Sequence, residues 1–270
     1  MSWQTADAPA KLNLALVVGP TRPDGKHEVA TVLERLTLAD AVAVRRAPET
    51  RVTGFEDDTL VRAAFDALEP HSGARFEARI EKRIPVAAGL GGGSSDAAAA
   101  LRLANGLLDS PLPTAELHAV ASGLGADVPF FLHDGPQVGI GDGSTLTPVA
   151  LPRDYAVLLL LPAGAAKSST ADVYAAFDAR NGKAGFEERR EALLAASARL
   201  ASRDDLADLP PNDLASSPLA DELRDLGAFR ADVTGAGPVV YALFAGRDAA
   251  GRARAALEGR AAALWLAEPA

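Results

Sequence analysis

The run Pro85-Val86-Ala87-Ala88-Gly89-Leu90-Gly91-Gly92-Gly93-Ser94-Ser95-Asp96 passes without a break into Ala97-Ala98-Ala99-Ala100-Leu101-Arg102-Leu103-Ala104. No other stretch so limits what the chain can become. Gly89, Gly91, Gly92 and Gly93 let the backbone take positive φ and come close to a ligand. Ser94, Ser95 and Asp96 are good helix starters, and the alanine-rich continuation is strong helix. A glycine loop that opens onto a helix N-terminus presents unpaired N–H groups and the positive end of the helix dipole, which is what a polyphosphate needs. The run reads as a nucleotide-phosphate cradle.

Two other phosphate loops do not fit it. A Walker loop needs Lys and then Ser or Thr after its last glycine, and here Gly93 is followed by Ser94 and Ser95. A dinucleotide fingerprint starting at Gly89 needs Gly or Ala at position 94 and a buried strand before it. Position 94 is serine, and Phe76-Glu77-Ala78-Arg79-Ile80-Glu81-Lys82 alternates between apolar and polar.

At 270 residues the chain is long enough for one large or two modest domains. A net charge of −9 argues against nonspecific nucleic-acid binding, which depends on cationic contacts to phosphate. The absence of cysteine excludes disulfides and thiolate metal sites, and His27, His71, His118 and His133 have no ligand spacing. No signal peptide is visible at the N-terminus, and runs such as Ala156 to Leu161 are too short to cross a bilayer. The expectation is a soluble cytoplasmic protein with no membrane partner.

Ala8 to Val18 has a strand pattern that puts Lys11 and Asn13 on one face and Leu12, Leu14 and Leu16 on the other. The polar pair is either a solvated face or part of a site. Pro23-Asp24-Gly25 is a turn that leaves His27 available for hydrogen bonding. Thr37 to Val44 reads as a strand, Asp58 to Leu68 as a capped helix, Arg75 to Lys82 as an alternating strand, and Pro113 to Ala121 as a helix with Thr114 as its cap. In Gly125-Ala126-Asp127-Val128-Pro129-Phe130 a single carboxylate stands among small and apolar residues. It is either a turn aspartate satisfying its own backbone or a functional group. Val138 to Pro148 closes this half with a glycine-rich turn.

A boundary is expected at Leu151-Pro152-Arg153-Asp154, followed by a buried strand over Tyr155 to Leu161. Ser168, Ser169 and Thr170 offer caps for a helix that carries Thr170 and Tyr174 one turn apart on the same face. Gly182 to Arg203 reads as helix, and Phe229 to Phe244 as strand, glycine turn and strand, with Gly235 and Gly237 in the turn.

These motifs, in this order, resemble the small-molecule kinases that include galactokinase, homoserine kinase, mevalonate kinase and phosphomevalonate kinase. The glycine loop is similar to the family's second motif, Gly125 to Phe130 to the segment with its catalytic aspartate, and Gly235-Ala236-Gly237 to its third motif, with Ala236 in place of serine. Pro9 to Leu14 with Arg22 to Glu28 resembles the opening of the members that act on 4-diphosphocytidyl-2-C-methyl-D-erythritol. The resemblance implies an α+β fold of two domains, residues 1–153 and 154–270, with the active site in the cleft between them. It implies ATP as phosphoryl donor, held by Pro85 to Ser95, with Mg²⁺ coordinated mainly by phosphate oxygens and water and no residue assigned to the metal. Lys11 and Asp127 become the catalytic pair. Asn13 and His27 become readers of the cytosine, Tyr174 its aromatic platform with Thr170 on the same face, and Gly235 and Gly237 the loop near the substrate. Lys26 stands where the family usually has tyrosine, so either part of the stacking is missing or the lysine meets the substrate's diphosphate. Other acceptors, mevalonate or homoserine, are the nearest alternative, and a noncatalytic nucleotide-binding protein the more distant one.

Overall fold

The computed structural model describes residues 2–56, 58–165 and 169–270. In chain order the elements are β1 (Gln4–Thr21), β2 (His27–Ala47), β3 (Arg51–Thr53), α1 (Leu60–Ser72), β4 (Arg75–Glu81), α2 (Gly92–Gly106), α3 (Thr114–Leu124), β5 (Gln137–Gly141) and β6 (Thr145–Pro148). There follow β7 (Ala156–Pro162), α4 (Thr170–Ala179), α5 (Phe186–Ser197), α6 (Arg203–Ala207), α7 (Pro218–Asp225), β8 (Arg230–Val233), β9 (Val240–Phe244), α8 (Arg247–Ala256) and β10 (Ala261–Ala267). A short 3-10 turn, Pro129–Leu132, lies between α3 and β5.

Two compact units are each assembled from separate segments. The first takes the chain up to Ala10, Ala39–Val86 and Gly91–Asp134, and the second takes Lys11–Leu38, Ala87–Leu90 and Gly135–Ala270. Residues 153 and 154, where the sequence suggests a boundary, both belong to the second unit.

In the first unit the C-terminal half of β2 pairs antiparallel with β4, from Ala41 opposite Glu81 to Ala47 opposite Arg75, and β3 joins β4 in parallel. The alternation in β4 does what its pattern predicts: Phe76, Ala78 and Ile80 are buried while Arg75, Arg79 and Glu81 turn outward. Helix α2 is buried from Ser95 through Leu101. Its alanines suit that position, since a side chain of one methyl group lets neighbouring elements approach and costs no rotamer freedom.

In the second unit the N-terminal half of β2 pairs with β5, from Val29 opposite Gly141 to Leu33 opposite Gln137, and β5 turns back into β6. A separate antiparallel sheet runs in the order β10-β7-β9-β8. Leu158, Leu160, Val240, Ala242 and Phe244 from this sheet pack with Leu223 of α7 and Ala250 and Ala253 of α8. The unbroken apolar run of β7 has this cause, for Val157 to Leu160 are all essentially inaccessible.

Three local expectations are corrected. α2 begins at Gly92, two residues before Ser94, and has no side-chain cap. Gly91, at φ +70°, can turn the chain left-handed and close the first turn early, so Ser95 and Asp96 become buried interior positions. α3 begins at Thr114 itself, with Pro113 before it and no hydroxyl cap. The helix expected over 182–203 is shorter: α5 starts after Gly185, at φ +69°, and ends at Ser197, and a new helix, α6, begins at Arg203 under a reciprocal cap between Ser202 and Asp205. Asp58, expected at the start of α1, accepts from the amides of Val61 and Arg62. In α4 the cap is Ser169, paired with Asp172; Ser168 lies outside the described residues.

Candidate active site

Within the glycine loop, every second residue from 87 to 91 has positive φ: Ala87 at +53°, Gly89 at +82° and Gly91 at +70°. At Gly89 the need for glycine is absolute, since a Cβ there would lie 2.1 Å from the carbonyl oxygen of Thr234. Ala87 accepts the same backbone sign with a side chain, at a cost on the order of 1 kcal/mol. Neighbouring strands hold this part of the loop. Leu90 O accepts from the amide of Lys11 at 2.9 Å, and Ala88 O accepts from that of Val239 at 3.3 Å. Beyond the loop, the first amide bonded back into α2 is that of Ser95, to Gly91 O. The amides of the first turn ahead of it have no partner within the helix and face outward along its axis.

Lys11 and Asn13 are both buried on β1. They share a face, as the strand period requires, and Lys11 Nζ donates to Asn13 Oδ1. Asn13 Nδ2 donates to Thr31 Oγ1 at 2.8 Å, and Thr31 Oγ1 donates to Ala15 O at 2.8 Å. This chain of bonds satisfies a buried amide and orients it toward the lysine. Thr234 Oγ1 accepts from the Asn13 amide at 3.1 Å and reaches Gly89 O at 3.4 Å, so one hydroxyl links the strand to the loop.

Gly235, at φ +56°, sits so close to this group that a Cβ would be 3.4 Å from Lys11 Nζ and from Asn13 Oδ1. Asn212 fixes the turn from behind, donating through Nδ2 to Val233 O at 2.9 Å and Gly235 O at 2.7 Å. Gly237, at φ +74°, leaves 3.0 Å between a Cβ and Val233. Ala236 packs against an apolar cluster of Leu16, Val18, Val29, Phe177 and Leu214, which offers its methyl group a fit. Lys11, Asn13, Gly89 and Gly235 are thus brought together within the second unit.

Asp127 lies in the first unit, half-buried in the turn that leads from α3 into Pro129–Leu132. The Val128 amide closes that turn on Gly125 O at 3.2 Å, and Val128, Phe130 and Phe131 are buried beside it.

The turn after β1 carries a second group of side chains in the second unit. His27 Nε2 is 3.0 Å from Asp178 Oδ1, and its ring lies 4.7 Å from that of Tyr174 and 6.1 Å from that of Phe177. Thr170 is exposed at the start of α4. Lys26 Nζ donates to Asp142 Oδ2 at 2.6 Å, and Ser144 bonds Asp142 Oδ1 through both its amide and its hydroxyl. Burial pushes the Asp142 carboxyl up, but the Lys26 and Ser144 donors outweigh it and hold the group at about 2. In this structure Lys26 is therefore the partner of Asp142.

Thr31, Thr234 and Asp178 have no motif that marks them. Each acts on a residue far away in sequence, and a lone Thr or Asp has no local signature for that. Among the described residues no group of three His, Asp or Glu gathers to hold a bare cation. Asp96, the carboxylate nearest the loop in sequence, is buried and bonded to Lys82 Nζ at 2.8 Å. That donor set fits a metal carried in by phosphate oxygens and water, rather than one caged by protein.

Residues 59–135 match the family described as GHMP kinases N terminal domain, and 184–263 match GHMP kinases C terminal. A protein of Anaeromyxobacter sp. (strain Fw109-5) named 4-diphosphocytidyl-2-C-methyl-D-erythritol kinase is 40% identical, over 91% of this chain and 84% of its own. One of the same name from Rhodococcus jostii (strain RHA1) is 38% identical, over 93% of this chain and 87% of its own. The crystal structure of a 4-(cytidine 5'-diphospho)-2C-methyl-D-erythritol kinase is 32% identical, with a TM-score of 0.77 over 98% of each chain. Mevalonate kinase of Methanococcus jannaschii has the same TM-score of 0.77 at 14% identity, and so shares the fold. The chain belongs to the GHMP kinase family, among its 4-diphosphocytidyl-2-C-methyl-D-erythritol kinases.

Proposed function

We propose that this chain transfers the γ-phosphoryl group of ATP to the C2 hydroxyl of 4-diphosphocytidyl-2-C-methyl-D-erythritol, in non-mevalonate isoprenoid-precursor biosynthesis. The observation that carries the reading is a loop of positive-φ residues that opens on an uncapped helix N-terminus, with a buried lysine bonded to its neighbour on the adjoining strand. The names of the relatives at 38–40% identity support the choice of acceptor.

In this reading the backbone donors of Gly89 to Ser95 hold the triphosphate, and Pro85 to Ala88 lead the chain into that position. Asp127 accepts the proton of the C2 hydroxyl as its oxygen bonds to the γ-phosphorus. The bond from phosphorus to the bridging oxygen breaks, and ADP leaves with the electron pair. Lys11, oriented by Asn13, supplies positive charge at the acceptor oxygen. Mg²⁺ bound to the phosphates would neutralise charge on the leaving group. His27 and Asn13 select the base, Tyr174 stacks on it beside Thr170, and Gly235 and Gly237 leave room for the substrate near the lysine.

The test is ADP release with Mg-ATP and each of three acceptors: the cytidine compound, mevalonate and homoserine. Stimulation by the cytidine compound alone is expected, and stimulation by either of the others instead overturns the choice of acceptor. Asp127→Asn is expected to lower kcat by about a thousandfold with its circular dichroism unchanged. Near-wild-type turnover in that variant would remove Asp127 from the role of base.

A further inference from the structure

Beneath the glycine loop the first unit holds a buried charge triad that the phosphoryl-transfer scheme does not use. Lys82 Nζ donates to Asp40 and, at 2.8 Å, to Asp96 Oδ2. Asp40 is completely inaccessible, and its other oxygen accepts from the backbone amides of Arg83 and, at 2.8 Å, Ile84. Asp96 is 1% exposed, in the first turns of α2. Lys82 is the residue just past β4, three positions before the loop opens at Pro85, while Asp96 is one position after it closes at Ser95.

The backbone makes space for this arrangement. A Cβ at Gly92 would stand 3.2 Å from Lys82 Nζ and 3.1 Å from Ile84 Cγ2, so glycine there admits the lysine under the helix start. The third glycine of the run therefore has a packing purpose besides loop geometry. Burying two carboxylates around one ammonium is costly, and hydrophobic packing of the same volume would ordinarily stabilise the fold as well. A costly polar group that spans both ends of a loop suggests that the loop's geometry is what it serves.

We propose that Lys82, held between Asp40 and Asp96, is a positioning residue for nucleotide binding that staples the chain entering the glycine loop to the first turns of the helix leaving it. This rests on the reading of the loop as the ATP cradle. Burial pushes the Asp96 carboxyl up to about 7, against the pull of Lys82 and with the help of the like charge on Asp40. Burial also pushes the Lys82 ammonium down, but the two carboxylates outweigh it and leave it raised, so the lysine stays charged. Among the described residues, the charged groups that act on Asp96 are these two. The other elements packed on α2 bury apolar side chains: Val61, Ala64 and Phe65 from α1, and Leu117 and Ala121 from α3. The 3-10 turn adds Phe130 and Phe131.

Protonation of Asp96 removes one of the two ion pairs of Lys82, leaves it a bond to a neutral carboxyl, and so loosens one end of the staple. The KM for ATP should then rise as pH falls through neutrality, while the KM for the acceptor stays level. Asp96→Asn keeps the shape and the Lys82–Asp40 pair but fixes Asp96 in its uncharged form.

The experiment is steady-state kinetics of full-length wild type and Asp96→Asn from about pH 8 to about pH 6, at saturating Mg²⁺, with melting curves for both. The ratio of the two KM values for ATP cancels the protonation of ATP itself. Expected is a KM for ATP raised about tenfold in the variant at the alkaline end, with the ratio closing to about twofold at the acid end and the acceptor KM within twofold throughout. Equal ATP KM values at the alkaline end, a ratio independent of pH, or parallel movement of both substrates' KM values overturns the staple. A wild-type protein without ATP-saturable ADP release overturns the cradle instead, and the staple with it.

Discussion

Around Gly89 the chain is held mainly through backbone atoms and a side chain has no room; around His27 charged and aromatic side chains pair with one another. At the loop a single added methyl group would strike the Thr234 carbonyl, and the contacts that hold the segment are Lys11 N to Leu90 O and Val239 N to Ala88 O. At the other place His27 leans on Asp178, Lys26 on Asp142 and Arg22 on Glu28, all on a turn whose glycine, Gly25, has open space around it. A phosphate chain offers repeated, equivalent oxygens, which a row of amides can meet whatever the residues are. A nucleobase offers one pattern of donors and acceptors on its edge, which needs particular side chains held at particular angles. The first region should therefore fail outright when its backbone is disturbed, and the second should lose affinity in steps.

The largest effect should come from Gly89→Ala. The new Cβ cannot coexist with Thr234 O at 2.1 Å, and the backbone at φ +82° disfavours any L side chain, so either the loop or the 234–237 turn must shift. We expect kcat/KM for ATP to fall at least about a hundredfold in steady-state kinetics, with far-ultraviolet circular dichroism retained. A variant within a few fold of wild type would show that the loop tolerates movement and that the backbone is not the binding surface.

His27→Ala should be milder and selective. If His27 reads the base as proposed, losing its hydrogen-bonding ring should raise the KM for the cytidine substrate about ten- to thirtyfold and leave that for ATP unchanged. Asp178→Asn, which loosens the ring without removing it, should give a smaller rise in the same constant. An equal loss for ATP would mean that the two regions are not separate in function.

The same division explains what could be read from the chain beforehand. Gly89 and Gly91 announce their conformations because only glycine takes them cheaply, and the alternation of β4 and the apolar run of β7 follow from burial on one face or two. The start of α2 is not legible because Ser94, Ser95 and Asp96 all look like caps, while the glycine before them closes the turn first. The break between α5 and α6 did have a signal, Ser202 with Asp205 three residues on, hidden in a segment rich in helix formers. Lys11 and Asn13 on one face followed from the strand period, but their bond to one another and the support from Thr31 and Thr234 did not. Asp178 approaches His27 across 151 positions, and Lys82 finds Asp40 across 42, distances at which one sequence holds no record of contact.

Lys26→Tyr should have the smallest effect and is the most informative about the second region. It restores the ring usual in the family and removes the partner of Asp142. In the wild type the depressed Asp142 carboxyl, at about 2, contributes stability that is complete above the ordinary aspartate value and is lost as pH falls through about 2. Without the lysine, the Ser144 donors alone oppose burial, and the carboxyl should titrate higher, nearer the ordinary value; carbon NMR of the Asp142 side chain across the acid range would follow it. The added ring, next to His27 in the chain, should lower the KM for the cytidine substrate two- to tenfold, the usual worth of about one aromatic contact. If that KM rises instead while Asp142 titrates as expected, the lysine leaves Asp142 for the substrate when it binds, and its charge rather than a ring serves at that position. A side-chain-built region permits such an exchange of one contact for another; the backbone cradle at Gly89, where even a methyl group has no place, does not.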